Sequence, residues 1–290
     1  MPDYVAYVAN WLGRSTEMVQ TNENERLASR MTLQLDGWEV VIDQHPDLLR
    51  GRSDLRGCFA KTTTITVVDV EEDQRQIANR ATHHLCELLG FVGMSDVVQY
   101  GERHGKYWRE WYPLGVTRRH RPVIPQLDGA MVRALVEQVW CRYLEIHEDR
   151  RLGLTFAYLR AGVAAGHVEL DLLHLFVALE CLKTSYATSE GFLRQRSTWL
   201  DSDGRRHSFQ KMLEKMISDV GMEVDLRKIV ELRNDIVHEG SSSMAQDAQV
   251  RILREGHQLA REYLLRLLQY RGGYLRFDTC SPDTIECPSG

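Results

Sequence analysis

Residues 61–102, KTTTITVVDVEEDQRQIANRATHHLCELLGFVGMSDVVQYGE, change pattern twice. Residues 62 to 70 are rich in β-branched side chains, which restrict χ1 and suit a pleated surface, so they predict a strand. Acidic residues follow and lead into a helical stretch from about Asp73 to Leu89. There Ile77, Ala81, Leu85 and Leu88 recur at three- and four-residue spacing, the period of one helix face. Gly90 reads as the stop. A second short strand is predicted around Asp96 to Tyr100. Upstream, MTLQLDGWEVVIDQ is predicted to hold one or two strands with Gly37 at a bend. This first region therefore reads as α+β, and small.

The best boundary is PLGVTRRHRPVIPQLDG at 113–129, with prolines, glycines and a basic run together. Everything after it reads as helical. DGAMVRALVEQVWCRYLEIHEDR has an Asp N-cap and an apolar stripe of Met131, Leu135, Val139 and Tyr143. VELDLLHLFVALECLKTSYA is apolar on most faces and is expected to be the central helix. About six helices with short connections suit a bundle. The expected architecture is mainly α, with residues 1–126 as a small α+β domain of sensing or accessory role, 127–275 as a helical bundle and 276–290 as a tail.

Composition narrows the classes. Hydrophobic residues make up 43% and charged residues 27%, the balance of a folded chain. The net charge of −5 means that nucleic acid would have to be met by local basic patches. No apolar run approaches membrane-spanning length, and the N-terminus has Asp3 early and no basic stretch, so a cytoplasmic location is the default expectation. The six cysteines form no CxxC pair. A Cys280–Cys287 disulfide is disfavoured in a reducing compartment. His83 and Glu87 are four apart on the predicted helix, but no second ligand pair at metal spacing accompanies them. His174 reads as a hydrogen-bonded core histidine.

The chemistry concentrates in VELRNDIVHEG, residues 230–240. Asn234 and His238 are four apart and project from one helix face. Arg233 and His238 are five apart, so on a straight helix they point roughly 140° from each other. A fold-back of the arginine, a kink or a second copy of the helix is needed to join them. His238 lies in the last turn before Gly240, where the carbonyl end of the helix favours imidazolium. The Arg233 guanidinium is a planar fork of donors suited to phosphate. A proton-transfer group, a phosphate clamp and an orienting amide suffice to cleave RNA by attack of the ribose 2′-OH. The plain structural alternative pairs Arg233 with Glu231 or Asp235 and leaves His238 as a helix cap.

LRNDIVHEG resembles the signature of the HEPN superfamily, and LHLFVALECLKTSY upstream resembles the Ala-Leu-Glu helix of its Apea-like group. The resemblance covers about residues 127 to 275 and only loosely those before. It implies a HEPN-type helical bundle and a metal-independent endoribonuclease acting on single-stranded RNA without cofactor. It further implies a homodimer through the bundle and a setting in prokaryotic anti-phage defence, abortive infection or a toxin module, with a phage-derived or protein activator. Arg233 and His238 take the catalytic roles by this resemblance, Asn234 the assisting one, and Glu180 matches the Ala-Leu-Glu glutamate that supports the arginine. Some members of the superfamily are non-catalytic dimerisation or binding modules, which is the alternative reading.

Further basic clusters lie at 117–121, 194–196, 204–207 and 271–276, near aromatics such as Trp111, Trp199, Tyr270 and Tyr274. Arginine beside an aromatic ring can grip single-stranded RNA by phosphate contact and stacking. The loop from Thr188 to Ser208 is the best candidate, with Arg194, Arg196, Arg205 and Arg206 as RNA-contacting residues; the plain reading is solvated side chains.

Overall fold

The computed structural model describes residues 1–22, 25–50, 55, 57–111, 121–196 and 198–286. The chain divides into two compact units. The first comprises residues 1–141 with 273–275, and the second residues 142–272 with 276–290.

The first unit holds the strands β1 (Tyr4–Ala9), β2 (Glu17–Asn22), β3 (Glu25–Leu35) and β4 (Trp38–Gln44), a short helix α1 (Pro46–Arg50), strand β5 (Lys61–Val67), helix α2 (Arg75–Gly93), and strands β6 (Val98–His104) and β7 (Tyr107–Glu110). The strands form one seven-stranded sheet in the order β2-β3-β4-β5-β1-β6-β7, and the pairings are antiparallel. This corrects the expected mainly α fold with a small N-terminal domain: the first unit is a sizeable α+β structure comparable in length to the second.

The physical reason lies in β1. YVAYVA is near-continuously buried, because it sits in the interior of the sheet between β5 and β6. A strand covered on both faces shows no alternation to read. The β3–β4 connection is a tight hairpin in which Asp36 (φ 50°) and Gly37 (φ 81°) both adopt left-handed backbone, the requirement of a primed turn.

α2 packs on β1 and β6 with Ala78, Leu85, Cys86, Leu88 and Leu89 buried. Ile77 is exposed, so the buried face is rotated from the expected stripe. Gly90 does not end the helix. α2 runs on to Gly93, and Met94 (φ 48°) forms the left-handed cap. Gly93 sits against the buried Trp11, where an added Cβ would lie 3.3 Å from the indole ring.

Helix α3 (Gly129–Ile146) carries the chain across the division, and Asp128 caps it by accepting from the Met131 N–H at 3.0 Å. The second unit continues with α4 (Leu152–Ala164), α5 (Val168–Ser189), the short strands β8 (Leu193–Gln195), β9 (Thr198–Leu200) and β10 (Arg206–His207), then α6 (Phe209–Ser218), α7 (Arg227–Glu239) and α8 (Gln246–Leu267). In chain order, strands β11 (Gly272–Leu275), of which residues 273–275 belong to the first unit, and β12 (Pro282–Ile285), of the second, come last.

α5 is the centre of this unit and packs against α4, α6, α7 and α8. Leu172, Leu175, Phe176, Leu179 and Leu182 give it a continuous buried surface. The expectation of a HEPN-type bundle is corrected here too. The region between α5 and α6 is a three-stranded antiparallel sheet in the order β10-β9-β8, and nothing identifies the helices as a bundle of that type. Among the described residues, no helix is long and apolar enough to cross a membrane.

Candidate functional site

Leu226, Ile229, Leu232 and Ile236 hold α7 against the core, while Val237 is exposed. That face fixes where the polar residues point. Arg233 lies beside the stripe and reaches α5, where its Nη2 donates to Glu180 Oε1 at 2.8 Å. Its Nη1 donates to Asn234 Oδ1 at 3.1 Å. The two expected sequence elements, separated by 53 residues, therefore meet in one ion pair. Glu231 and Asp235, the alternative partners, do not take the guanidinium; Asp235 instead accepts from Ser242 Oγ at 2.6 Å.

Two residues at this place were not anticipated. Lys183, one turn beyond Glu180, donates Nζ to Glu180 Oε2 at 2.5 Å and is only 8% exposed. Phe209, the first residue of α6, lies under both cations, 5.0 Å from the Arg233 guanidinium carbon and 5.1 Å from Lys183 Nζ. One carboxylate thus faces two cations over an aromatic ring, an arrangement that keeps net positive charge at the site. The available signal for Lys183 was a lone cation three residues from Glu180 in an otherwise apolar helix; Phe209 offered none.

His238 is not part of this cluster. It is exposed in the last turn of α7 and makes no hydrogen bond or ion pair among the described residues. α7 is one helix from Arg227 to Glu239, closed by Gly240 (φ 76°), whose N–H donates to Ile236 O. The five-residue offset between Arg233 and His238 is therefore not bridged within one copy.

Of the candidate RNA-contacting arginines, Arg194 and Arg206 lie on strands of the small sheet, and Arg196 and Arg205 in the turns that join them. Arg194 pairs across the strands with Trp199, its guanidinium 6.0 Å from the indole centroid. Arg196 is exposed with φ 55°. Arg205 stands 3.7 Å from Asp203, and Arg206 is exposed on β10. Asp201 builds the turn: its Oδ1 accepts from the N–H groups of Asp203 and Arg205, and its Oδ2 lies 3.0 Å from His207 Nε2. Those bonds, His207 first, hold the Asp201 carboxyl below the usual range. β10 runs directly into Ser208 and Phe209, so the sheet is anchored one residue from the ring under Arg233.

Other candidates resolve differently. His174 is half-buried and bonds the Leu170 carbonyl of its own helix at 2.7 Å. Two imidazoles are deeply buried: His104, whose Nε2 is 2.9 Å from the Val70 carbonyl, and His257, 2.8 Å from Asp171 and stacked on Phe277. His83 stacks near Trp111, while His84 is the histidine close to Glu87, at 3.6 Å. Among the described residues, no group of three or more His, Cys, Asp or Glu is placed to hold a metal ion. Residues 117–120 of the first basic cluster, and Cys287, lie outside the described residues.

Compared with known proteins, the chain matches no family model, no curated protein and no solved structure.

Proposed function

We propose that this chain is a metal-independent endoribonuclease of HEPN type that cleaves single-stranded RNA. The observation that carries the reading is the Arg233–Glu180 ion pair, which joins the Arg-Asn-His helix to the Ala-Leu-Glu helix. Two of the five guanidinium N–H donors are engaged by Glu180 and Asn234, and that engagement orients the fork. The reaction is attack of a ribose 2′-OH on the adjacent phosphorus, with the 5′-oxygen leaving. The 2′ proton passes to a base and the leaving oxygen takes a proton from an acid; the products are a 2′,3′-cyclic phosphate and a 5′-OH. Arg233 stabilises the charge that builds on the phosphoryl oxygens, and His238 moves a proton. Each copy carries one His238, and a second copy supplies the other as well as closing the gap to Arg233. RNA is the substrate, and a phage-derived or protein activator would fit a role in prokaryotic anti-phage defence, abortive infection or toxin action.

A second reading has its own observation. His238 is exposed and unengaged, which suits a non-catalytic binding or dimerisation module. The two separate on one experiment. In a nuclease-free preparation with chelator, the wild-type chain should cut a labelled RNA to cyclic-phosphate ends. Arg233→Ala and His238→Ala should each lower the rate by about 10²–10⁴-fold without changing the fold. Cutting that survives both substitutions sinks the nuclease reading, and its absence in the wild type under every activator tried selects the binding module.

A further inference from the structure

The first unit has its own cationic cleft, independent of α7. β7 is the edge strand, and its register sets Arg109 opposite Glu102 and Tyr107 opposite His104. These side chains share the sheet face on which α2 packs, because Asn79 of α2 donates Nδ2 to Glu102 Oε2 at 2.7 Å. Beyond β7, the Trp111 N–H donates to Tyr100 O at 2.8 Å, which holds the indole at the end of the same edge.

Two adjoining cavities, each about 420 Å³, open along this edge and share Asn79, Glu102 and Arg109. The first is cationic, with Arg75 and Arg80 joining Arg109. The second is aromatic, with Trp111 and His83 nearly parallel, 24° apart. Arg80 and Arg109 are exposed and form no ion pair among the described residues. The single carboxylate between the cavities, Glu102, is 7% exposed and is fixed from below. Its Oε2 accepts from the Tyr4 hydroxyl at 2.7 Å as well as from Asn79, while the nearest cation, Arg75 Nη1, is 3.9 Å from Oε1.

The order along the cleft is aromatic wall, acceptor, cations. A nucleotide has the same order: planar base, ribose hydroxyls, phosphate. We propose that this cleft binds one ribonucleotide unit, with the base against Trp111, a ribose hydroxyl donating to Glu102 and the phosphate held by Arg80 and Arg109. A base presents a π-face that stacks on an indole whatever its sequence, and arginine pairs with phosphate oxygens through parallel N–H donors. The unit can be a free nucleotide or one residue of an RNA strand; the recognising chemistry is the same.

The test uses the full chain in the His238→Ala background, so that RNA is not cut, and calorimetric titration with four probes: adenosine 5′-monophosphate, adenosine, inorganic phosphate and an oligoadenylate of about ten nucleotides. The monophosphate or the oligoadenylate should bind more tightly than both adenosine and phosphate. Arg80→Ala with Arg109→Ala, both surface positions, should weaken that binding by about tenfold or more, as loss of charge-assisted phosphate bonds requires. Trp111→Ala should cost about tenfold through lost stacking and leave phosphate unaffected. If the oligoadenylate outbinds the monophosphate with the same sensitivities, the source is RNA; if not, it is the free nucleotide. Binding indifferent to all three substitutions, neither the monophosphate nor the oligoadenylate outbinding phosphate, or no binding of any probe overturns the proposal. Because cleavage is not read, its failure and that of the nuclease assignment are separate results.

Discussion

The two units place fixed and free charge in opposite ways. In the first, the carboxylate of Glu102 is locked by hydrogen bonds, while Arg80 and Arg109 form no ion pair among the described residues, Arg109 lying over the Trp111 ring at 5.8 Å. In the second, the cations Arg233 and Lys183 are locked on Glu180, and the titratable His238 stands free. A locked charge costs desolvation and returns a defined position; a free one keeps its full field for a ligand. The first arrangement suits gripping an anion, and the second suits holding a clamp still while another group moves a proton.

The largest stability effect is expected at Glu180. Its side chain is 32% exposed, against 10% for Lys183 and 17% for Arg233. Glu180→Ala leaves two poorly hydrated cations without a counter-ion, where breaking a fully buried pair costs about 3–5 kcal/mol. Solvent screening at the carboxylate lowers the expectation to about 2 kcal/mol in a denaturant melt. Glu180→Gln keeps an acceptor for Arg233 Nη2 and should cost less, about 1 kcal/mol. RNA cleavage should follow the same order, because the amide still orients the guanidinium. An unchanged midpoint for Glu180→Ala would mean that the pair is held by the surrounding packing and that the second unit is no stiffer than the cleft of the first.

A smaller effect is expected at Tyr4. Its hydroxyl donates to Glu102 and accepts from Asn79 and Gln99, the last at 3.0 Å. Burial, and then the adjacent carboxylate, pushes its pKa up, so the phenol stays a donor throughout the working range. Tyr4→Phe should cost about 1–2 kcal/mol, the penalty for leaving a buried acceptor short of one bond. It should also weaken nucleotide binding a few-fold by loosening Glu102. Lost stability with intact binding would break the link between the locked carboxylate and the ligand.

How much of this was legible follows from where the pattern is local. The 3.6-residue period of residues 127–275 marks the helices, since each buries a stripe, α5 included, where Leu170 and Leu173 stay exposed. Asp36-Gly37 marks the β3–β4 turn because left-handed backbone at both positions favours those residues. β1 was invisible because a doubly covered strand does not alternate, and its absence from the reading shrank a seven-stranded sheet to a few isolated strands. β7 is short, and its solvent-facing Trp108 is 60% exposed, so it carries no apolar face to detect. Of the two sites, the Glu180–Arg233 half could be read because each partner sits in a recognisable short motif. The Tyr4–Asn79–Glu102 web draws on residues up to 98 apart with no motif, and only the folded sheet brings them together.

The smallest effect expected is kinetic, and it measures how firmly the first unit is closed. Cys86 lies on the buried face of α2, 3% exposed, and burial pushes its thiol pKa up. Both keep it from the thiolate form that reacts. Cys58, Cys141 and Cys280 are exposed. With a thiol reagent at mildly alkaline pH, these exposed thiols should label at once, and Cys86 only when α2 lifts from the sheet. Its rate then reports the opening equilibrium of that unit. Tyr4→Phe, by costing about 1.4 kcal/mol, should raise the Cys86 rate about tenfold while leaving the fast phase unchanged. Glu180→Ala is the comparison that sharpens the result. Acceleration of Cys86 by Tyr4→Phe alone makes the carboxylate web a determinant of the first unit's own stability. Equal acceleration by both substitutions means that α2 lifts only when the whole chain opens, and no difference from wild type for Tyr4→Phe means that the web orders Glu102 without holding the helix down.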